Sequence, residues 1–383
     1  MNRFTQCIIQ ITSVVFVACS QNAITTGNIV VEPEAVDMSI GESGILSDMD
    51  LIQLETNDSV LIGNIDKVIA TSDRLFIADF ENLSVYIFDL EGKYINKISN
   101  QGRGADEYIY LFDICYNKDN NTINLLSRNT SKIFTYTKDG EIINVTPLPV
   151  EAIEVEYHDG CYYATTGFYP QESCTNNNLV IMDTAFNVLD AMFAIDGIRS
   201  EHSLYDNLYV YNREVHNVDN WLFRVYKTNS IDVCYCFDFG AVQRPKHLDG
   251  ADVYKKALIE DRSVAEYITS VDKVQECSNY ILATYTYGGR SCMVVADKRT
   301  NKTSSYSLGL VEKFYALPFG KIVDMSQDQI VTYIPASRVL NMYRGFNEYN
   351  DFREDFPNQI KRLQEKFSNI SEDDNPFIAI YKI

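Results

Sequence analysis

Three short stretches of this 383-residue chain carry residue types that could bind or react. The first, Gly102-Arg-Gly-Ala-Asp-Glu-Tyr108, gathers two glycines, a guanidinium, two acids and an aromatic ring. A glycine loop that cradles a dinucleotide phosphate needs a third glycine and a helix behind it. Here Glu107 holds the third-glycine position and a strand pattern follows, which argues against nucleotide binding. Two readings remain: Arg103, Glu107 and Tyr108 as ligand contacts, or a tight connection in which Arg103 or Glu107 bonds exposed backbone. The second stretch, Tyr285-Thr-Tyr-Gly-Gly-Arg290, sets two rings and a guanidinium at the end of a strand. Tyr285, Tyr287 and Arg290 could there hold a sugar or a carboxylate, although tyrosines this abundant more often fill space between sheets. The third, Asn117-Lys-Asp-Asn-Asn121, has alternating oxygen donors, but Thr122 and Arg128 stand where a calcium loop needs Gly and Glu, so a hairpin turn is expected. Trp221, the sole tryptophan, is a further candidate for a sugar platform, with packing the favoured reading.

For covalent and metal chemistry the sequence offers little. It contains no GxSxG elbow and no HExxH pair, and its four histidines, His158, His202, His216 and His247, are scattered singly. Among 53 acidic residues no carboxylate pair stands out, and the densest late cluster, Glu372 to Asp374, falls in an expected turn where a solvated acidic loop is the default. No catalytic residue, metal or cofactor is therefore nominated, and a non-enzymatic role is favoured. Of nine cysteines, Cys7 and Cys19 lie in the leading segment, and seven remain. Cys234 and Cys236 would share one strand face, where a bridge is awkward, so Cys161 with Cys174 is the one pairing worth testing and buried free thiols are the default.

The elements that must position these residues follow from composition and pattern. With 46% hydrophobic and 22% charged residues the chain can bury a large core, and a formal charge of −20 disfavours nucleic acid as a partner. Residues 1–18 read as a signal peptide: one arginine, an apolar run too short for the roughly 20 residues of a membrane span, then small residues. Phe16-Val-Ala-Cys19 resembles a bacterial lipobox, which would make Cys19 the diacylated first residue of the mature chain, attached to the membrane through lipid alone. Residues 19–47 carry few bulky apolar side chains and read as a leader, with the folded body at 48–383.

From Leu51 onward, short alternating runs are separated by Asp, Asn and Gly turns, the pattern of an all-β protein. Four strand candidates between Lys67 and Ile98 are followed by four between Phe112 and Val145, and Phe88-Asp-Leu-Glu-Gly-Lys recurs as Tyr136-Thr-Lys-Asp-Gly-Glu 48 residues later. That period and strand count predict propeller blades. Looser copies follow around Leu179 to Leu189, Glu214 to Asp238 and Val271 to Ser307, with a sixth from Lys321 onward. The apolar spacing in Val253 to Ile268 and in Pro357 to Phe367 suits helical insertions. Pro376 to Ile383 reads as a final strand and Met49 to Glu55 as an early one, and the two are expected to share the sixth blade so that the ring is stapled.

These residues resemble the six-bladed β-propeller lipoproteins typical of Bacteroidetes, distant in architecture from NHL-repeat and TolB propellers. The resemblance rests on Leu61 to Lys93, on Gly102 to Tyr108, and on the ending Glu372-Asp-Asp-Asn-Pro-Phe-Ile-Ala-Ile-Tyr-Lys. Ala105 and Asp106 stand where that family usually has Pro and Gly. The likeness implies a six-bladed propeller with helical insertions, exported to the cell envelope as an outer-membrane lipoprotein, with both membrane leaflets open because Ser20 to Ile24 lack an acidic run. Its expected role is to bind a glycan, peptide or envelope partner through loops on one face. A propeller lyase or hydrolase with its site at the central opening, and a structural subunit of an envelope complex, are the alternatives.

Overall fold

The computed structural model describes residues 27–33, 38–127, 130–167, 176–195, 208–219, 223–228, 232–248, 251–261, 263, 266–348, 356–367 and 369–383. Cys19, Cys174 and Trp221 lie outside the described residues. Two strands, β1 (Gly27–Val30) and β2 (Asp48–Gln53), precede the first complete sheet. Blade 1 is β3 (Lys67–Ala70), β4 (Leu75–Asp79), β5 (Ser84–Phe88) and β6 (Tyr94–Ile98); blade 2 is β7 (Asp113–Asn117), β8 (Thr122–Ser127), β9 (Lys132–Thr137) and β10 (Ile142–Pro147). Blade 3 is β11 (Glu154–His158), β12 (Cys161–Thr165), β13 (Asn177–Met182) and β14 (Val188–Ala194); blade 4 is β15 (Leu208–Tyr211), β16 (Glu214–Asp219), β17 (Arg224–Lys227) and β18 (Val233–Asp238). Blade 5 is β19 (Val274–Glu276), β20 (Tyr280–Tyr287), β21 (Arg290–Asp297) and β22 (Lys302–Ser307). Blade 6 joins β23 (Lys321–Met325), β24 (Gln329–Ile334) and β25 (Phe377–Lys382) to the N-terminal β2, which pairs antiparallel with β25 from Asp48 opposite Lys382 to Gln53 opposite Phe377. The structure is thus the expected six-bladed propeller, with the early strand β2 and the late strand β25 meeting in the sixth sheet.

The strands are short because each spans one thin blade, and many are apolar on both faces because both faces are buried. In β4, Leu75 and Ile77 pack toward blade 6 while Phe76 and Ala78 pack toward blade 2, and all five residues of the strand are buried. The core is accordingly divided into clusters that each fill the wedge between two neighbouring blades. Tight turns set the repeat. Gly92 and Gly140 occupy the equivalent hairpins of blades 1 and 2 with φ of +84° and +91°, a conformation that costs glycine nothing.

Helix α1 (Ala251–Glu260) lies between blades 4 and 5, while α2 (Ala336–Glu348) and α3 (Pro357–Lys366) form an insertion between β24 and β25. The sequence pattern identified α3 and expected a helix over Val253 to Ile268, where α1 ends at Glu260 and Ile268 instead forms a bridge with Gln243. It left α2 inside the sixth unit, although Ala336 and Val339 pack into the core between blades 5 and 6 together with Ile360, Leu363 and Phe367.

The leader expected over 19–47 is corrected by its described part. β1 adds a fifth, parallel strand to the outer edge of blade 4, with Val31 N–H donating to the Asp238 carbonyl at 2.8 Å. The chain then crosses the rim of blade 5, where Ser307 N–H donates to the Met38 carbonyl, and enters blade 6 at Asp48. Ile29, Val31, Ile40, Ile45 and Leu46 are all buried. Ile29 and Val31 pack into the core between blades 4 and 5, and Ile40, Ile45 and Leu46 into that between blades 5 and 6, so no single period runs through the arm and the pattern looked like a linker.

Candidate functional site

Antiparallel pairing within a blade brings the start of its innermost strand and the turn between its second and third strands to the same face of the ring. On that face the connections into β19, β23 and β3, the β20–β21 turn and the start of α2 enclose a cavity of about 960 Å³ at the mouth of the central channel. Four cations line it: Lys273 beside β19, Arg290 opening β21, Lys321 opening β23 and Arg338 in the first turn of α2. Asp66 and Asp272 are the carboxylates in the wall. The cavity therefore carries a surplus of two positive charges inside a chain of formal charge −20. Arg290, Lys321 and Arg338 are exposed, whereas Tyr285 and Phe319 supply buried wall. Asp66 is fixed by bonds from Phe80 N–H at 2.8 Å and from the Asn64 amide at 2.7 Å. Asp272 accepts from the Ser270 hydroxyl at 3.1 Å, and burial pushes its carboxyl up to about 6.

Below the mouth the inner strands converge on a second cavity of about 540 Å³. Lys67 from blade 1, Glu154 and Glu156 from blade 3, Lys273 from blade 5 and Asp324 from blade 6 line it, and Lys273 borders both cavities. Glu156 and Asp324 come from blades on opposite sides of the six-membered ring. Lys67 is pinned to Asp113 of blade 2 at 2.8 Å. These side chains keep contact with channel solvent, yet protein surrounds them and shifts their protonation. Burial pushes the Glu156 carboxyl up to about 7 despite the pull of Lys67. It also raises Asp324, against Lys273 and Lys67. The Lys273 ammonium is pushed down to about 8 by burial, with Asp324 opposing. Burial works to lower Lys67 as well, but Asp113 and Glu156 outweigh it and hold that lysine protonated.

Of the sequence candidates, Tyr285 and Arg290 both border the mouth cavity. Tyr287 is half-buried and packs against the core between blades 4 and 5, together with the inner part of Tyr285, whose ring lies 5.0 Å from that of Phe239. The stretch Gly102 to Tyr108 connects β6 to β7 and borders neither cavity. Tyr108 is fully buried between blades 1 and 2, where its ring packs in the core and its hydroxyl donates to the Leu83 carbonyl at 3.0 Å. Glu107 accepts from Gly104 N–H at 2.7 Å, and a Cβ on Gly102 would stand 1.9 Å from its carboxylate. The glycines there make room for a self-bonded turn, while Arg103 is exposed on the surface. Asn117 to Asn121 forms the hairpin between β7 and β8, with Asp119 N–H bonded to the Asn117 side chain at 3.0 Å.

The channel residues were not singled out from the sequence. Their signal was a charged residue opening the first strand of a unit, as at Lys67, Asp113, Glu154 and Lys321.

Among solved structures, the chain is similar to a candidate exported protein from Bacteroides fragilis NCTC 9343, at 19% identity and a TM-score of 0.71 over 93% of this chain and 99% of that one. A member of the DUF4221 family from Bacteroides vulgatus ATCC 8482 aligns at 11% identity and a TM-score of 0.48, over 88% of this chain and 96% of that one. A search of curated proteins finds no match. Residues 27–382 match the family described as a domain of unknown function, DUF4934, and the chain belongs to that family.

Proposed function

We propose that this chain is an exported, lipid-anchored binding module that takes an acidic glycan in the cationic mouth of its propeller. The observation that carries this reading is the convergence of Lys273, Arg290, Lys321 and Arg338 on one cavity. Guanidinium forks match carboxylates, and a cleft of one sign in a low-dielectric wall concentrates ligands of the other. Asp66 and Asp272 in the same wall, with Thr284, Ser291 and Ser307, favour a ligand that carries hydroxyl groups as well as carboxylates, which is a uronate sugar more than an acidic peptide. Export is supported by the signal pattern of residues 1–18 and by the description of the Bacteroides fragilis neighbour. Attachment to the outer membrane through a diacylated Cys19 is supported by the resemblance of residues 16–19 to a lipobox.

Titration calorimetry on the soluble form with oligogalacturonate, poly-glutamate and a neutral oligosaccharide tests the reading. Binding of the first alone is expected. Arg290→Ala with Arg338→Ala should weaken it by roughly 100-fold, since a hydrogen bond to a charged group is worth about 1.5–3 kcal/mol. Preference for poly-glutamate would transfer the site to acidic peptides. Unchanged affinity in the double variant would remove the site from the mouth.

A further inference from the structure

Lys273 borders both the upper cavity, which Arg290 and Arg338 also line, and the vestibule beneath it. We propose that the mouth is a reaction site as well as a binding site, in which Lys273 acts as the base for β-elimination of a 4-linked uronate glycan; this rests on the acidic-glycan reading above.

The chemistry is complete with the groups present. The hydrogen on C5 is acidified by the adjacent carboxylate, more so when cations neutralise the charge that spreads onto it during removal. The neutral Lys273 amine takes that proton. The C5–H electron pair becomes the C4=C5 double bond, and the C4–O4 bond breaks with its pair leaving on O4. In a mannuronate, whose C5–H and O4 share one face of the ring, the ammonium then returns the proton to O4; in a galacturonate, where they lie on opposite faces, solvent protonates O4 and takes the proton back from the ammonium. One glycosidic link becomes an unsaturated uronate and a free hydroxyl, with no water, oxidant or cofactor consumed.

The surroundings suit a lysine that must lose its proton. Lys67 stands near enough to repel a second ammonium and is itself held by Asp113 at 2.8 Å. Asp324 from blade 6, Glu154 from blade 3 and Asp113 from blade 2 act in the opposite direction, and burial outweighs them, leaving the amine titrating at about 8. Such an amine is partly deprotonated at neutral pH and returns the proton readily. Asp272, the preceding residue in the chain, is a much weaker base.

The test is incubation of the soluble propeller with oligogalacturonate and, separately, oligomannuronate, followed by ultraviolet detection of unsaturated ends and by mass spectrometry. The expected products together have the mass of the substrate, without an added water. Turnover of the unaltered protein should rise with pH through about 8, a readout that needs no variant. Lys273→Arg keeps the cation but cannot act as a base, so it should lower turnover by at least about 100-fold and abolish the rise with pH through about 8. Binding without unsaturated product, products that have gained water, or full turnover in Lys273→Arg would each overturn the inference and leave the binding reading intact. Absence of binding to either uronate would overturn both.

Discussion

Replacing Glu156 by glutamine should stabilise the protein, and only above the acid range. Glu156 sits on the inner strand of blade 3, and burial raises its carboxyl from 4.5 to about 7. A carboxyl whose folded value is raised favours folding most below its unfolded value, and that contribution is lost as pH rises through the folded value. The unaltered chain therefore carries a penalty that grows between pH 4.5 and about 7 and is constant above it. At about 1.4 kcal/mol per pH unit the ceiling is about 3 kcal/mol, and contact with channel solvent reduces it to about 1–2 kcal/mol. Glutamine has nearly the same shape and never ionises. Urea unfolding of both proteins at pH 4, 6 and 8 measures the difference. Equal stability at pH 4 and a gain of about 1–2 kcal/mol for Glu156→Gln at pH 8 are expected. A difference that does not change with pH, or a loss at pH 8, would refute the account of the channel.

Three other substitutions probe the frame. Gly92→Ala should cost about 2–4 kcal/mol in thermal unfolding, because its φ is +84° and the added Cβ would stand 2.2 Å from the Gln53 carbonyl. The parallel change Gly160→Ala, at φ +79° with nothing within 4 Å, should cost only about 1 kcal/mol, so equal losses would contradict the steric argument. Tyr108→Phe removes the bond to Leu83 and should cost about 1 kcal/mol while leaving oligogalacturonate affinity unchanged, and calorimetry that shows weakened binding would return Tyr108 to the site.

Much of the fold was legible because it is locally encoded. The hairpins at Gly92 and Gly140 repeat one conformation, the apolar runs match strand length, and the terminal runs at 48–53 and 377–382 read as strands needing a partner. The arm before Asp48 escaped because its buried residues anchor to separate blades, and no local period links Ile29 to Ile40. In the site, Tyr285 and Arg290 were visible because one hairpin carries both. Lys67, Asp113, Glu156, Lys273 and Asp324 were not, since each comes from a different blade and alone looks like one more solvated charge. Only closure of the ring makes them neighbours.

Sharing the last sheet between the two termini has a consequence for biosynthesis. The ribosome makes β2 first among the strands of blade 6 and β25 last, so the hydrogen bonds from Asp48 to Gln53 wait for residues 377–382 to be released. Asn375, whose side chain bonds to the Glu55 and Val60 carbonyls and to Ile62 N–H, is equally late. A nascent chain stopped before Phe377 would keep five sheets and leave β2 with an unpaired edge. Protein quality control would thus meet an all-or-none event at the emergence of residues 377–382.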